Sequence, residues 1–259
     1  MLRPFVPKIS DVHFHNGNSA QVLSLSNHTT SLEALGYMGL PMAQPTLVII
    51  GGASLMSHES MERLQTVFDQ VFAPLAQSLG LTVLDGGTDT GVIRMMGQAR
   101  HTIGGNFPLI GVVPKGKARL PGDRHHDDSR HDLEPHHTNF FLIPGDDWGS
   151  ESPWLAELAS EISADRPALT ILVNGGQIAL IDLKENLATG RPAIVLSGSG
   201  RLADSIAAAT AALPPETDPA ILELIQHYQP DGKLEIIDLS LPVEQMRDRL
   251  QQYFSSTLA

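Results

Sequence analysis

The chain has 259 residues, of which 42% are hydrophobic, and this is enough to bury one substantial core. Its formal net charge of −12 argues against binding to nucleic acid or to an anionic membrane surface. It has no cysteine, which excludes disulfides, thiolate nucleophiles and cysteine-ligated zinc. The apolar runs are far shorter than the roughly 18 residues that suggest a membrane span, and prolines and histidines interrupt the first 15 residues, unlike a signal peptide, so we expect a cytoplasmic protein.

Short β-branched segments alternate with longer amphipathic segments along most of the chain. The pattern predicts strands at 46–50, 81–84, 109–113, 140–143, 169–173, 193–196 and 234–239. It predicts helices at 57–79, 90–102, 153–164, 178–188, 201–212 and 243–254. Nearly continuous apolar strands separated by helices are typical of an α/β fold, here a Rossmann-like, doubly wound, mainly parallel sheet with helices on both faces.

Two segments depart from this alternation. Residues 1–45 contain four prolines and one candidate strand at 21–25, and we treat them as an N-terminal extension before a single domain at 46–259. Residues 114–138 have no apolar period and carry five histidines, so they are expected to form a functional lid or a disordered loop. The histidines and aspartates at 123–137 have no fixed ligand spacing, and we predict no metal site there.

Four predicted strands end in glycine-rich turns that each open a helix, at 51–54, 85–91, 174–176 and 197–201. In a parallel sheet such turns lie together at the carboxyl edge, where open α/β sheets bind ligands. Glycine lets a ligand approach the backbone closely, and the following helix offers unpaired N–H groups and a partial positive charge, so the pattern favours phosphate or another anion. The last turn, Gly198-x-Gly200-x-x-Ala203, fits the dinucleotide fingerprint, whereas no Walker A sequence is present.

Five motifs, at 85–99, 110–114, 134–142, 174–176 and 198–201, resemble in order and spacing the LSDAT branch of the SLOG superfamily in its prokaryotic form. This branch is similar to the N-terminal cytosolic region of TRPM channels and, more distantly, to the LOG and SMF/DprA proteins. The resemblance covers roughly 45–255 and implies binding or sensing of a nucleotide-derived ligand, such as ADP-ribose or NAD.

The candidate ligand-binding residues come from the glycine turns, from the end of the strand at 109–113 and from the motif at 134–142. They are Gly51, Gly52, Ala53, Ser54, Gly86, Gly87, Thr88, Asp89, Thr90, Gly91, Pro114, Lys115, Thr138, Asn139, Gly175, Gly176, Gly198, Ser199, Gly200 and Arg201. Arg201 is expected to bind phosphate bidentately at a helix N-terminus. Lys115 could neutralise a phosphate at the cleft edge, while Thr138 and Asn139 could hydrogen-bond the ligand.

Two alternatives stay open. The resemblance to LOG proteins implies a nucleoside monophosphate phosphoribohydrolase, an N-glycosidase, in which Asp182 would take the place of the family's glutamate. That acid works beside an arginine on the preceding helix, and the predicted helix at 153–164 contains none, so we expect the glycosidase chemistry to be lost. The other alternative is a homo-oligomeric scaffold whose glycine turns bind no ligand.

Overall fold

The computed structural model describes residues 8–53, 55–123, 127–212 and 216–256. Its strands are β1 (Lys8–His13), β2 (Ser19–Ser24), β3 (Thr46–Gly51), β4 (Thr82–Asp85), β5 (Leu109–Pro114), β6 (Ala118–Arg119), β7 (His131–Asp132), β8 (Asn139–Ile143), β9 (Ala168–Val173), β10 (Ala193–Ser197) and β11 (Leu234–Asp238). Its helices are α1 (Ser31–Met38), α2 (His58–Val67), α3 (Ala73–Leu79), α4 (Gly91–Thr102), α5 (Ser152–Ser163), α6 (Gln177–Ala188), α7 (Arg201–Ala212), α8 (Pro219–Tyr228) and α9 (Val243–Ser256). A π-helical turn, Phe68–Phe72, joins α2 to α3.

Nine strands form one sheet in the order β1-β2-β8-β5-β4-β3-β9-β10-β11. Every neighbouring pair is parallel except β1 and β2, which confirms the predicted α/β, doubly wound architecture. From β3 the chain first builds outward through β4, β5 and β8, and it then returns to place β9 on the other side of β3. The sheet therefore has its topological switch point between β3 and β9, the place where such sheets bind ligands.

Alternate strand residues pack into two cores, one on each face of the sheet. In β3, Val48 and Ile50 face the layer that contains α1, α5, α6, α7 and α8. Leu47 and Ile49 face the layer that contains α2, α3, α4 and α9. Burial on both faces explains why the central strands are nearly continuous apolar runs. Within the described residues, no helix has the length and hydropathy that crossing a membrane requires.

The structure departs from the expectations in three places. Residues 8–45 belong to the main sheet and core, because β2 pairs with β8 and the capped helix α1 buries Ala34 and Leu35. The single helix predicted at 57–79 is interrupted by the π turn directly before Pro74, whose ring and missing N–H disturb the regular hydrogen-bond ladder. Helix α8 was not predicted. Its N-cap Asp218 precedes Pro219, and proline in the first turn is a common helix start.

Candidate ligand-binding cleft

A cleft of about 410 Å³ lies at the carboxyl edge of the sheet, over the switch point. It is bounded by the ends of β3, β4 and β9 and by the first turns of α4, α5, α6 and α7. Its lining residues are Ile49, Ile50, Gly51, Gly52, Gly86, Thr88, Thr90, Ile93, His131, Trp148, Glu151, Leu155, Gly175, Gly176, Gln177, Ile178, Ala179, Asp182 and Arg201. Three of the four predicted glycine turns thus meet in one cavity, and the fourth contributes Arg201.

Close backbone packing at the switch point requires glycine at position 51. A Cβ atom on Gly51 would lie 1.8 Å from the carbonyl oxygen of Val173, and the φ of +123° is unfavourable for other residues. The next residue, Gly52, donates its N–H to that same carbonyl at 3.1 Å. A Cβ atom on Gly52 would meet nothing within 4 Å, so this residue faces the open cleft. The turn after β3 therefore exposes backbone without side chains to the cleft.

Three helices begin at the cleft without a side-chain cap. The N-cap residues of α4, α5 and α6 are Thr90, Glu151 and Gly176, and none of them accepts a hydrogen bond from the first turn through its side chain. All three line the cleft. In contrast, α1, α2 and α8 are capped by Thr30, Ser57 and Asp218, none of which lines the cleft. Asp218 instead lines a neighbouring cavity together with Arg201. The positive ends of three helix dipoles therefore meet in this one cavity. The N–H groups that lack a side-chain cap are those of α4 and α6, because at α5 Ser152 donates its N–H to Gly149 at 3.2 Å and Pro153 has no N–H.

Arg201 supplies a positive side chain to the same place. A Cβ atom on Gly176 would lie 2.6 Å from Nη2 of Arg201, so the guanidinium lies across the start of α6. Among the described residues, this guanidinium has no carboxylate within 4.0 Å. The backbone of Arg201 has a φ of +47°, a left-handed conformation that is strained for a residue with a side chain. Backbone strain beside an unneutralised charge is typical of a functional site.

Two carboxyl groups lie deeper in the cleft. Asp182 on α6 accepts a hydrogen bond from the hydroxyl of Ser152 at 2.5 Å, and Glu151 accepts one from the backbone N–H of Gly149 at 2.7 Å. Burial, together with the nearby charge of Glu151, raises the pKa of Asp182 to about 7 even though the Ser152 hydroxyl lowers it. Burial also raises the pKa of Glu151. A carboxyl group with a strongly shifted pKa inside a cleft is a candidate functional group.

The side wall of the cleft separates it from a second cavity of about 440 Å³. A backbone hydrogen bond of 2.8 Å from Asp89 to the carbonyl of Asp132 and a bridge between Thr88 and Leu133 hold this wall together. Thr88 faces the first cavity, while Asp89, Asp132 and Leu133 face the second. The segment at 114–138, expected to be a lid or a disordered loop, is thus an ordered wall over its described residues.

Beneath this wall, His137 is fully buried between two carboxyl groups. Its Nε2 lies 2.9 Å from Oδ1 of Asp85, and its Nδ1 lies 2.8 Å from Oε2 of Glu134. Burial lowers the pKa of His137, but the two carboxylates outweigh it and raise the pKa to about 9. Oδ1 of Asp85 also accepts the N–H of Gly87 at 2.8 Å. The buried imidazolium therefore anchors the glycine turn whose neighbours Gly86 and Thr88 line the cleft.

Several predicted residues support the cleft without lining it. Gly87 packs against β5 and β8, since a Cβ atom there would lie 2.7 Å from Val113 and 2.8 Å from Gly111. Gly91 starts α4 against the backbone of Ala53. Asp89 pairs with Arg94 at 2.7 Å. In the described part of the chain, the residues that line the cleft do not include Gly87, Gly91, Ala53 or Asp89.

The Gly198-x-Gly200 turn also supports the cleft and does not line it. Ser199 accepts a hydrogen bond from the N–H of Asn174 at 2.8 Å, and a Cβ atom on Gly200 would lie 2.9 Å from the amide nitrogen of Asn174. Gly198 donates its N–H to Asp204 at 2.6 Å. Because β10 is one strand away from the switch point, its turn braces the turn after β9, and only Arg201 reaches the ligand side.

Four further predicted contacts lie elsewhere. Thr138 and Asn139 stand at the start of β8, so they are at the amino edge of the sheet, opposite the cleft. Thr138 bonds there to the backbone of Leu109, at 3.0 and 3.1 Å. Lys115 follows Pro114 at the end of β5, and its ammonium group bonds to the carbonyl of Leu25. This hydrogen bond ties the end of β5 to the end of β2. Burial lowers the pKa of Lys115.

Two predictions fall partly or wholly on residues that the structure does not describe. Ser54 lies outside the described residues, as do His125 and His126 of the histidine-rich loop. Within the described ranges there is no group of three or more His, Asp or Glu side chains suited to a metal ion.

Several residues near the carboxyl end of the cleft were not predicted from the sequence. Glu151 lines the cleft, and its neighbour Ser152 donates a hydrogen bond to Asp182. Both follow the polar stretch after β8, where nothing in their spacing marks a site, and only the fold brings them close to Asp182. Gln177 and Ile178 directly follow the Gly175-Gly176 turn and could have been inferred from that position. His131 comes from the predicted loop and reaches the cleft through the wall described above.

The sheet, its switch-point cleft and the glycine turns define a Rossmann-like, doubly wound α/β protein. A family model described as "SLOG in TRPM, prokaryote" matches residues 44–245, and the chain belongs to this family. The predicted resemblance to the LSDAT branch is thereby confirmed.

Similar proteins include transient receptor potential cation channel subfamily M member 2 of Rattus norvegicus, 26% identical over 231 residues, and that of Mus musculus, 26% identical over 208 residues. The alignments cover 73% and 66% of this chain but only 15% and 14% of the channels. A solved structure of a structural-genomics target named TM1055 superimposes with a TM-score of 0.48 at 19% identity, covering 80% of this chain and 99% of that one.

Proposed function

We propose that the cleft binds a nucleotide-derived anion, with ADP-ribose and NAD as the first compounds to test, and that the protein acts as a binder or sensor of that ligand. The observation that carries this proposal is the pair of uncapped helix N-termini, those of α4 and α6, that open into one cavity. Phosphate groups bind readily to such N–H groups, and Arg201 adds a charge-assisted contact.

Family membership supports a nucleotide-related role, because resemblance to this family implies binding of a nucleotide-derived ligand. The net charge of −12 is compatible with an anionic ligand, because fixed backbone dipoles and one guanidinium supply the local positive potential. A cavity of about 410 Å³ falls within the range of small-molecule sites.

The proposal is tested by thermal unfolding with ADP-ribose, NAD, AMP and inorganic phosphate at millimolar concentration. A ligand present at 100 times its Kd stabilises a protein by about 2.7 kcal/mol, which gives a rise of several degrees for a chain of this size. Arg201→Ala should reduce the rise, whereas Arg166→Ala should leave it unchanged, because Arg166 precedes β9 at the opposite edge of the sheet. No rise with any of the nucleotides would contradict the proposal.

One observation favours a second candidate function, the nucleoside monophosphate phosphoribohydrolase. Asp182 lines the cleft with its pKa raised to about 7, as expected for a general acid or base near neutral pH. Against it, Asp182 is held by the hydroxyl of Ser152, and α5 contains no arginine. We therefore propose ligand binding, and not phosphoribohydrolase activity, as the main function of the cleft.

A further inference from the structure

The second cavity, on the far side of the cleft wall, has the size of a ligand site. Its volume of about 440 Å³ is similar to that of the cleft. It is bounded by the end of β1 and the turn that follows, by the turn before α4, and by the segments around β6 and β7. Among the described residues, the two cavities share no lining residue. The second cavity is therefore a separate candidate site, to which the proposed function gives no role.

Arg119, on β6, places a largely buried cation in this cavity. Its side chain is 18% exposed, and its Nη2 donates to the carbonyl oxygens of Asp127 and Arg130 at 2.8 and 3.0 Å. Its Nη1 lies 3.4 Å from Oδ1 of Asp132, a carboxylate that is 65% exposed, so this ion pair neutralises the guanidinium only weakly. Its Nε is buried and has no hydrogen-bond partner in the described part of the chain. An incompletely paired arginine beside an open cavity favours a ligand with an anionic group.

Negative charge lies in the same cavity. Asp89 and Asp132 both line it, on the wall that separates it from the cleft. Arg94 pairs with Asp89 at 2.7 Å from outside the cavity lining. With Arg94 and Arg119 against the two aspartates, and with the lining histidines neutral, the cavity has charges of both signs and no net formal charge. A ligand with only a negative charge would lie beside both aspartates, and one with only a positive charge would lie beside Arg119. A zwitterion avoids both conflicts.

The other lining surfaces are largely apolar. Phe14 and Leu133 belong to one small core and present their buried side chains to the cavity, and Pro121 and Pro135 add two ring surfaces. Phe14 packs against Phe140 with the ring centroids 6.3 Å apart, so its ring is supported from the protein side. Apolar walls with a few charged groups are typical of small-molecule sites. The matching ligand therefore joins its two charged groups to a hydrocarbon body.

We propose that the second cavity binds an α-amino acid with an apolar side chain. Its carboxylate pairs with Arg119 and its ammonium group with Asp132 and Asp89, while its side chain packs against Phe14 and Leu133. In an α-amino acid one carbon atom joins the two charged groups, and this suits a cavity in which opposite charges lie only 3.4 Å apart. This site is independent of the proposed function, because it binds a different ligand on the other side of the wall.

Isothermal titration with compounds that each lack one group tests the assignment. L-leucine has all three groups, L-leucinamide lacks the carboxylate, N-acetyl-L-leucine lacks the ammonium group and glycine lacks the apolar side chain. We expect leucine to bind the wild type at least tenfold more tightly than each of the other three. If leucinamide or N-acetyl-leucine binds as tightly as leucine, one charge is sufficient and the zwitterion assignment is wrong.

Variants locate the binding in this cavity. Asp132→Asn should weaken leucine at least tenfold, whereas Asp128→Asn, at an exposed position outside the lining, should leave the affinity unchanged. Arg119→Gln should also weaken leucine at least tenfold. If Arg119→Gln does not fold, Asp132→Asn still decides, because its side chain is mostly exposed. Thermal unfolding of each variant shows that it is folded before its affinity is interpreted.

The outcomes separate this site from the cleft. Arg201→Ala should leave leucine binding unchanged, and leucine should bind equally well with and without saturating ADP-ribose. If Arg201→Ala abolishes leucine binding, or if ADP-ribose displaces leucine, the amino acid occupies the cleft and the inference is overturned. If neither leucine nor phenylalanine binds the folded wild type at millimolar concentration, the second cavity is not an amino-acid site, and the proposed function of the cleft is unaffected.

Discussion

Oδ1 of Asp85 accepts two hydrogen bonds, from Nε2 of His137 at 2.9 Å and from the backbone N–H of Gly87 at 2.8 Å. Because His137 also donates from Nδ1 to Glu134, its ring is a buried cation between two anions. Burial raises the pKa of Glu134, but the hydrogen bonds and charge of His137, with bonds from His136, outweigh it and lower that pKa overall. A charged group thus stabilises the turn that carries Gly86 and Thr88 into the cleft.

We expect His137→Gln to lower the free energy of unfolding at pH 6 and to weaken its dependence on pH. The folded-state pKa of about 9 lies above the usual 6.5, so the stabilisation is full below about pH 6.5 and is lost as the pH rises through 9. Urea unfolding at pH 6, 7.5 and 9.5 measures this. His28→Gln, at an exposed position, serves as the control. Parallel pH profiles for His137→Gln and the wild type would rule out the buried imidazolium.

Two glycines that precede helices are expected to respond differently to alanine. At Gly87 the new Cβ atom would lie 2.7 Å from Val113 and 2.8 Å from Gly111, with a φ of +67°, so Gly87→Ala should destabilise the fold by roughly 1–3 kcal/mol. At Gly52 the Cβ atom meets open space, so Gly52→Ala should leave stability within about 0.5 kcal/mol and weaken ligand binding. Urea unfolding and ADP-ribose titration of both variants measure the contrast. Equal losses of stability would contradict the assigned packing.

The contrast between Gly52 and Gly87 also shows the limit of sequence reasoning. Apolar period and glycine placement predict the alternation of strands and helices, and hence the cleft at the carboxyl edge. They cannot tell which glycine faces a ligand and which faces a neighbouring strand, because that depends on how β4, β5 and β8 pack together. Asp182 could be picked out by resemblance. Glu151 could not, since its proximity to Asp182 arises only when α5 and α6 pack side by side.

Arg201 is expected to trade stability for binding. Its φ of +47° is unfavourable for every residue except glycine, so Arg201→Gly should increase the free energy of unfolding by about 1 kcal/mol while removing the guanidinium from the cleft. Arg201→Ala keeps the strain and should show the binding loss alone. A charge-assisted contact contributes about 1.5–3 kcal/mol, so affinity should fall by about 10- to 150-fold in both variants. If Arg201→Gly binds ADP-ribose as tightly as the wild type, the guanidinium has no role in the site.

Asp182 should make the protein less stable as the pH approaches and passes 7. Its folded-state pKa of about 7 is raised above the usual 3.8, so its favourable contribution is full below about pH 3.8 and is lost as the pH rises through 7. Asp182→Asn mimics the protonated acid and still accepts from Ser152. It should therefore be more stable than the wild type at pH 8, by on the order of 3 kcal/mol, and by much less at pH 5. The control is Asp165→Asn at an exposed site. An equal difference at both pH values would show that Asp182 does not titrate in this window.

The last prediction concerns catalysis at the same carboxyl group. Cleavage of an N-glycosidic bond needs a carboxylate beside the developing oxocarbenium ion and a water molecule held in line for attack, and this geometry tolerates little displacement of the acid. Asp182 is one methylene shorter than the glutamate of the LOG proteins, and Oδ1 is held by Ser152 with no arginine on α5 to orient it. We therefore expect no appreciable release of base from AMP or other nucleoside monophosphates over hours at micromolar protein, measured by chromatography. If base is released, and Asp182→Asn abolishes the release while AMP still binds, the protein is a phosphoribohydrolase in which Ser152 and Asp182 replace the arginine and glutamate.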